Sequence, residues 1–226
     1  MILEGAIGDA YGAGFEFAEV EKIRSKNTVS QYETHPLFEE IQGKYTDDTQ
    51  MTIAIAELLI SGAEWNSLTV AQKFVEAFKR DPRRGYAKRF YKFLEEIEDG
   101  STFLEKIKPK SDRNGAAMRA YPLGVLGGEK EIIEKCNIQS EVTHQTEKAL
   151  LAAQAIALAS HYFIYKKGKQ STLIAYLQDI QGRKWEADWS GPVNVDAVET
   201  VEAVLTLLVH ESSLQTILKK SVDFGG

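Results

Sequence analysis

The sequence predicts an all-α fold, and three observations carry that prediction. Apolar residues recur at spacings of three and four through most of the 226-residue chain, the period of a helix with one buried face. Alternating apolar and polar runs bounded by hairpin turns, the mark of half-buried strands, are hard to find. Stretches rich in Gly, Pro, Asp and Asn interrupt the periodic segments, as helix-to-helix connections do. The result is about ten helices in a single domain. No low-complexity linker and no repeat of fixed period divides the chain.

Taken in order, the first element is GAIGDAYGAG, with Gly5, Gly8 and Gly12 at helical spacing. Glycine costs roughly 1 kcal/mol against alanine inside a helix, so this run implies tight packing or room for a ligand against bare backbone. IAIAELLI, directly after Asp47 and Asp48, predicts a buried helix. SLTVAQKFVEAFKR places Leu68, Ala71, Phe74, Val75 and Phe78 on one face, and YAKRFYKFLEEI continues the pattern. THQTEKALLAAQAIALASHYFIY is a long alanine-rich helix, and Ala152, Ala153, Ala155, Ala157 and Ala159 let neighbours approach it closely. VDAVETVEAVLTLLVHE offers an apolar face at Val195, Val198, Val201 and Leu205. RDPRRG, KPKSDRNG, VLGGEK and ADWSGP read as loops.

Composition bounds the class of function. The formal charge of −6, from 27 basic and 33 acidic residues, argues against nucleic acid as the main partner. Cys136 is the only cysteine, which excludes an internal disulfide, fits a reducing compartment and suggests a small core residue. The opening MILEGAIGDAYGAGF lacks the basic start and long apolar stretch of a secretory signal. Apolar runs fall short of the ~18–20 residues that span a bilayer. The expectation is a cytoplasmic protein without a membrane partner.

TDDT, residues 46–49, sets Asp47 beside Asp48 at the doorstep of an apolar helix. Asp47 as an N-cap, with Gln50 as its capping-box partner, explains one of the two carboxylates. The other repels its neighbour and needs a counter-charge. Magnesium takes hard oxygen ligands, and two aspartates with flanking threonines offer them within one turn. Side chains on consecutive residues diverge, so the pair suits two cations better than one. The residues alone leave cap and metal site both open.

Other constellations say less. SDRNGAAMR presents lightly covered amides near a helix start, suited to phosphate, or is a plain junction capped by Ser111, Asp112 or Asn114. RDPRRGYAKRF gathers Arg80, Arg83, Arg84, Lys88 and Arg89 around Tyr86 and Phe90, and reads as a solvated helix face ahead of a pyrophosphate or nucleic-acid contact. Glu141 and His144 form one Glu-x-x-His unit; no second copy exists, so a di-iron bundle is rejected. Zinc motifs are absent. The glycines of GDAYGAG are neither a Walker loop nor a dinucleotide fingerprint. Trp185 and Trp189 default to core or rim packing.

Four segments in order, GAIGDAYGAGFEF, YTDDTQM, NGAAMRAYPLG and VTHQTEKAL, resemble the ADP-ribosylglycohydrolase family, and the closing SVDFGG is similar to the approach to that family's last motif. The resemblance runs nearly end to end. It implies an orthogonal multi-helix domain over residues 1–226 and a dinuclear magnesium centre. The implied reaction is cleavage of ADP-ribose from an ADP-ribosylated protein or an ADP-ribose-containing small molecule. Carried over by position, it implies Thr46, Asp47 and Asp48 as metal ligands, with Asp47 and Asp48 also catalytic through the metal. Glu16 is implied as a gate or proton-handling group at the mouth of the site. Asn114, Gly115 and Ala116 are implied as the loop against ADP-ribose, and His144 as a cleft residue. The family's Asp-x-Asp-Thr segment would begin where the sequence stops at Gly226. The expectation is therefore a C-terminally incomplete domain, with a non-catalytic ADP-ribose-binding member as the alternative.

Overall fold

The computed structural model describes residues 1–225. Among them it forms α1 (Ile2–Gly12), α2 (Val20–Lys26), α3 (Asp47–Ser61), α4 (Ser67–Arg80), α5 (Lys88–Glu96), α6 (Gly100–Lys106), α7 (Glu129–Glu141), α8 (Glu147–Ile164), α9 (Leu173–Gln181), α10 (Ala197–His210) and α11 (Leu214–Asp223). Short 3₁₀ turns join them, and the described residues contain no strand, only isolated bridges between Lys110 and His144 and between Arg113 and Asp196. The all-α expectation holds.

Local chemistry sets the helix ends. Asn66 Oδ1 accepts from the Thr69 amide at 3.0 Å while Thr69 Oγ1 accepts from the Asn66 amide at 3.1 Å. This reciprocal cap stabilises the start of α4 by about 1 kcal/mol. Ala71, Phe74, Val75 and Phe78 are buried as their spacing predicts, whereas Leu68 is 50% exposed. It sits in the first turn, at the edge of the buried stripe. Asp196 caps α10 by accepting from the amides of Val198 and Glu199 at 2.9 and 3.2 Å. Val195 therefore precedes the helix, exposed, and does not extend its apolar face.

α8 is the axis of the fold, with α7, α9 and α10 packed round it. Its five named alanines are all buried, and methyl groups in place of branched side chains let helix backbones come close. α3, α4 and α6 pack in succession beside this centre, and α1 lies across α3 and α11. Cys136 is fully buried in the main core, and burial pushes its thiol up to about 12, as befits an inert core residue. Tyr11, Phe15 and Val222 form a second, smaller apolar cluster. Gly5 is explained by packing: a Cβ there would overlap the Tyr121 hydroxyl and stand 2.9 Å from Tyr121 Cζ.

Candidate active site

α3 begins after Thr46, whose side chain makes no cap of its own. The carboxylate that serves those first amides comes from another helix. Asp9, on α1, accepts from the amides of Thr46 and Thr49 at 2.8 and 3.1 Å, and from their hydroxyls at 2.7 and 2.6 Å. The expected cap by Asp47 with Gln50 is thus overturned. Gln50 turns the other way: its Nε2 donates to the carbonyls of Ala77 and Asp81, and its Oε1 accepts from the Tyr86 hydroxyl at 2.7 Å.

Freed from capping, Asp47 and Asp48 have no cationic partner, and the charges they feel most, Asp9 and Glu16, are also negative. Water reaches Asp48 from one side while protein crowds it from the others. Burial, then Asp9 and Glu16, push its carboxyl up to about 7. Asp47, half-buried, is raised well above the usual carboxylate range by burial, then by Asp48 and Asp9. Two causes act together here, desolvation and like charge.

The loop between α4 and α5 closes over this pair. Gly85 has φ +110°, and a Cβ there would overlap Asp47 Oδ1 and lie 2.8 Å from Thr46 Cβ. Only glycine suits both demands. The basic stretch around it is a loop and not one solvated helix face. Arg83 stacks on Tyr45 at 4.0 Å and pairs with Asp81, Arg84 pairs with Glu40, and Arg80 pairs with Glu57. Tyr86 is buried.

The second group of expected residues assembles separately. Asn114–Ala116 is a single 3₁₀ turn and not the start of an α-helix. One turn sums too few peptide dipoles to favour an anion, and the Asn114 amide is taken by Val195 O at 3.1 Å. The segment is therefore a 3₁₀ turn with its first amide engaged, and not the α-helix start that the sequence suggested. Asn114 Nδ2 donates to Thr200 Oγ1 at 3.2 Å, and Ala116 is buried with its carbonyl accepting from Gln139 Nε2 at 3.2 Å. Gly115 packs on His144, since a Cβ there would lie 3.0 Å from the ring's Cε1. Thr143 Oγ1 accepts from Arg119 Nη2 at 2.7 Å and shares a hydrogen bond with His144 Nδ1 at 2.6 Å. Burial, then the Arg119 charge, push His144 down to about 3. The imidazole is neutral.

Two tyrosines join the groups. Tyr121 feels the charges of Asp9 and Asp48, and Tyr86 feels Asp47 and Arg119. Thr52 Oγ1 on α3 reaches Met118 O at 3.4 Å. Asp9, Gly85 and Tyr121 were not singled out by sequence reasoning. Asp9 sits in the glycine-rich run that drew attention, but its partners begin 37 residues further on, beyond any local spacing rule.

The donors at α3 suit a hard cation. Thr46 gives its hydroxyl proton to Asp9, which leaves oxygen lone pairs 3.4 Å from Asp48 Oδ2. Oxygen ligands with net negative charge favour Mg²⁺ over softer metals. Asp9 is fully engaged, and among the described residues no three carboxylate, imidazole or thiolate groups converge on one point. Thr46, Asp47 and Asp48 therefore present hard oxygen donors without a third convergent acidic group among the described residues.

The family model described as ADP-ribosylglycohydrolase matches residues 1–226. The chain is 26% identical over 200 residues to ADP-ribosylhydrolase ARH3 of Gallus gallus, covering 79% of this chain and 54% of that protein. It is 23% identical over 237 residues to the ADP-ribosyl-[dinitrogen reductase] glycohydrolase of Rhodospirillum rubrum, covering 98% of this chain and 76% of that one. A solved structure titled ADP-ribosylglycohydrolase-related protein complex superposes with a TM-score of 0.71 at 22% identity, over all of this chain and 79% of that one; at that identity the likeness concerns the fold. The chain spans about half the length of the ARH3 relatives it matches. No helix of the described residues is long and apolar enough to cross a membrane.

Proposed function

The chain belongs to the ADP-ribosylglycohydrolase family, and from that premise we propose that it hydrolyses the glycosidic bond joining ADP-ribose to a protein side chain or related acceptor, with magnesium held by Thr46, Asp47 and Asp48. The observation that carries this reading is the thinly compensated Asp47–Asp48 pair, whose capping duty Asp9 has taken over from α1. A fold that spends a third carboxylate to keep two others free supports a ligand that arrives from outside.

The bond in question breaks at the anomeric carbon through an oxocarbenium-like transition state. Magnesium, when bound, supplies Lewis-acid polarisation and a grip on ribose hydroxyls. The chain's own groups do the rest. Asp9 orients Thr46 and the first turn of α3. Gly85, having no side chain, lets its loop approach Asp47 and Thr46 closely. Glu16 places a third carboxylate within electrostatic reach of Asp48, where it serves to take or return a proton. The bare backbone of Gly115 and the neutral imidazole of His144 offer a surface and a polar contact to the ADP-ribose, beside Asn114 and Ala116.

Asp47→Asn and Asp48→Asn test the proposal. Each is expected to lower hydrolysis of an ADP-ribosylated protein by at least about 100-fold and to weaken magnesium binding in calorimetry, with helical content unchanged. Full turnover in both variants would refute the metal role. The partial donor set favours one second reading, a member that binds ADP-ribose without cleaving it. Its mark is ADP-ribose affinity in the wild type with neither turnover nor magnesium uptake.

A further inference from the structure

Lys22, on α2, closes a small knot of chain beside Glu16. Its Nζ donates to Gly14 O at 2.7 Å and to Thr34 O at 2.6 Å. The segment carrying Thr34 runs so close that a Cβ on Gly14 would lie 2.6 Å from Glu33 O. Glu16 follows two residues after Gly14, and Phe17 then turns the chain through a left-handed conformation, φ +56°, that side chains rarely adopt. His35 follows Thr34, with its ring fully buried.

The ring is held from both ends. His35 Nδ1 accepts the amides of Leu37 and Phe38 at 2.9 and 3.1 Å. A nitrogen that accepts carries no proton, so the ring proton is assigned to Nε2. Nε2 lies 3.1 Å from Glu16 Oε2. The ring also packs against Phe38, centroid to centroid at 5.1 Å.

We infer that His35 is a positioning residue that donates its Nε2 proton to Glu16 and holds that carboxylate beside the Asp47–Asp48 pair. Glu16 continues the end of α1, its amide donating to Gly12 O at 3.2 Å. α1 carries the Asp9 that bonds Thr46 beside the two aspartates, and both aspartates feel the charge of Glu16. Left free, its long side chain would swing toward water to relieve that repulsion. The buried imidazole opposes the swing and cannot follow it, because two backbone amides pin its far side. The effect on turnover rests on the hydrolase reading above; the hydrogen bond does not.

Two arms test this on the full chain. Long-range ¹H–¹⁵N spectra of ¹⁵N-histidine protein are expected to show His35 as the Nε2–H tautomer, with that resonance moved by Glu16→Gln. An Nδ1–H tautomer, or no response to Glu16→Gln, overturns the inference whether or not the protein turns over. In the kinetic arm, His35→Phe is expected to lower kcat by about 10- to 100-fold, the usual scale for a supporting shell, with KM little changed. His35→Gln, which keeps a donor at the Nε2 position, is expected to recover most of that loss. Equal loss in both variants, or none in a folded His35→Phe, sinks the positioning role. If the wild type itself shows no hydrolysis, it is the hydrolase reading that fails, and the spectra still decide the hydrogen bond.

Discussion

Arg119 and the Asp47–Asp48 pair are charges that the fold treats differently: Arg119 is buried, whereas Asp47 is half-buried and Asp48 is open to water on one side. Arg119 is almost wholly buried and has no carboxylate partner. Its Nε donates to Gln139 Oε1 at 2.7 Å, its Nη2 donates to Gln139 O and Thr143 Oγ1 at 2.9 and 2.7 Å, and the guanidinium lies over Phe74 at 4.4 Å. Burial draws it down to about 9, which still leaves it charged at neutral pH. Neutral acceptors and an aromatic face replace the lost water. Around the aspartates the compensation is thinner: each has a backbone amide, and Asp48 has the Thr46 hydroxyl as well. The one nearby hydroxyl stands 3.4 Å from Asp48, and the surrounding charges add to the repulsion. The fold can solvate a lone charge with its own groups when that charge is structural. Where it does not, the thinly compensated charge supports the magnesium site proposed above.

Three substitutions would break or sharpen that contrast. The largest effect is expected from Arg119→Ala, which strands three buried acceptors and opens a cavity above Phe74. Urea denaturation should show a loss of about 3 kcal/mol or more, and a loss below 1 kcal/mol would remove Arg119 from the comparison. Asp9→Ala comes next. It leaves two amides and two hydroxyls at the start of α3 unpaired, for an expected loss of about 2 kcal/mol, and calorimetry should show weaker magnesium binding because Thr46 loses its anchor. Stability lost with magnesium affinity intact would separate the cap from the site. Asp48→Asn is smallest and opposite in sign.

The sign for Asp48 follows from linkage. Its carboxyl stands at about 7 in the folded chain against 3.8 ordinarily, so between these values the folded state holds more protons than the unfolded. Stability from this group is complete below about pH 4 and is lost as pH rises through about 7. Without magnesium, Asp48→Asn should therefore raise the melting temperature at pH 8. The gain should be on the order of 1 kcal/mol or less, because solvent at its open side screens the repulsion. Near pH 4 the gain should vanish. Saturating magnesium should reverse the order and make the wild type the more stable protein. A destabilised Asp48→Asn at pH 8 without magnesium would show that the pair is already compensated.

Much of the fold was legible because helix formation and one-sided burial are local. Phe74, Val75 and Phe78 declare their face within a few residues, and the alanines of α8 declare close packing by what they lack. The failures were local too, at boundaries. Val195 shares the period of α10 but lies before its Asp196 cap, and Leu68 belongs to the sequence of a stripe whose edge solvent reaches. The candidate site was legible in part. TDDT announced two carboxylates in search of a counter-charge, yet the choice between cap and ligand turned on Asp9, which no spacing within TDDT can reveal. Gly85 reads in sequence as a loop glycine, and only its approach to Asp47 shows what it makes room for.

The sequence by itself determined the helices, their buried faces and the adjacency of Asp47 and Asp48, since these depend on bonds and periods a few residues long. Tertiary structure alone decided which charges would be answered. It brought Asp9 to the first turn of α3, laid Gly85 over Asp47, set His35 behind Glu16 and wrapped Arg119 in neutral acceptors. The physical reason is that the energy of a charge depends on the dipoles and water within a few ångströms of it, and those neighbours come from segments far apart in the chain.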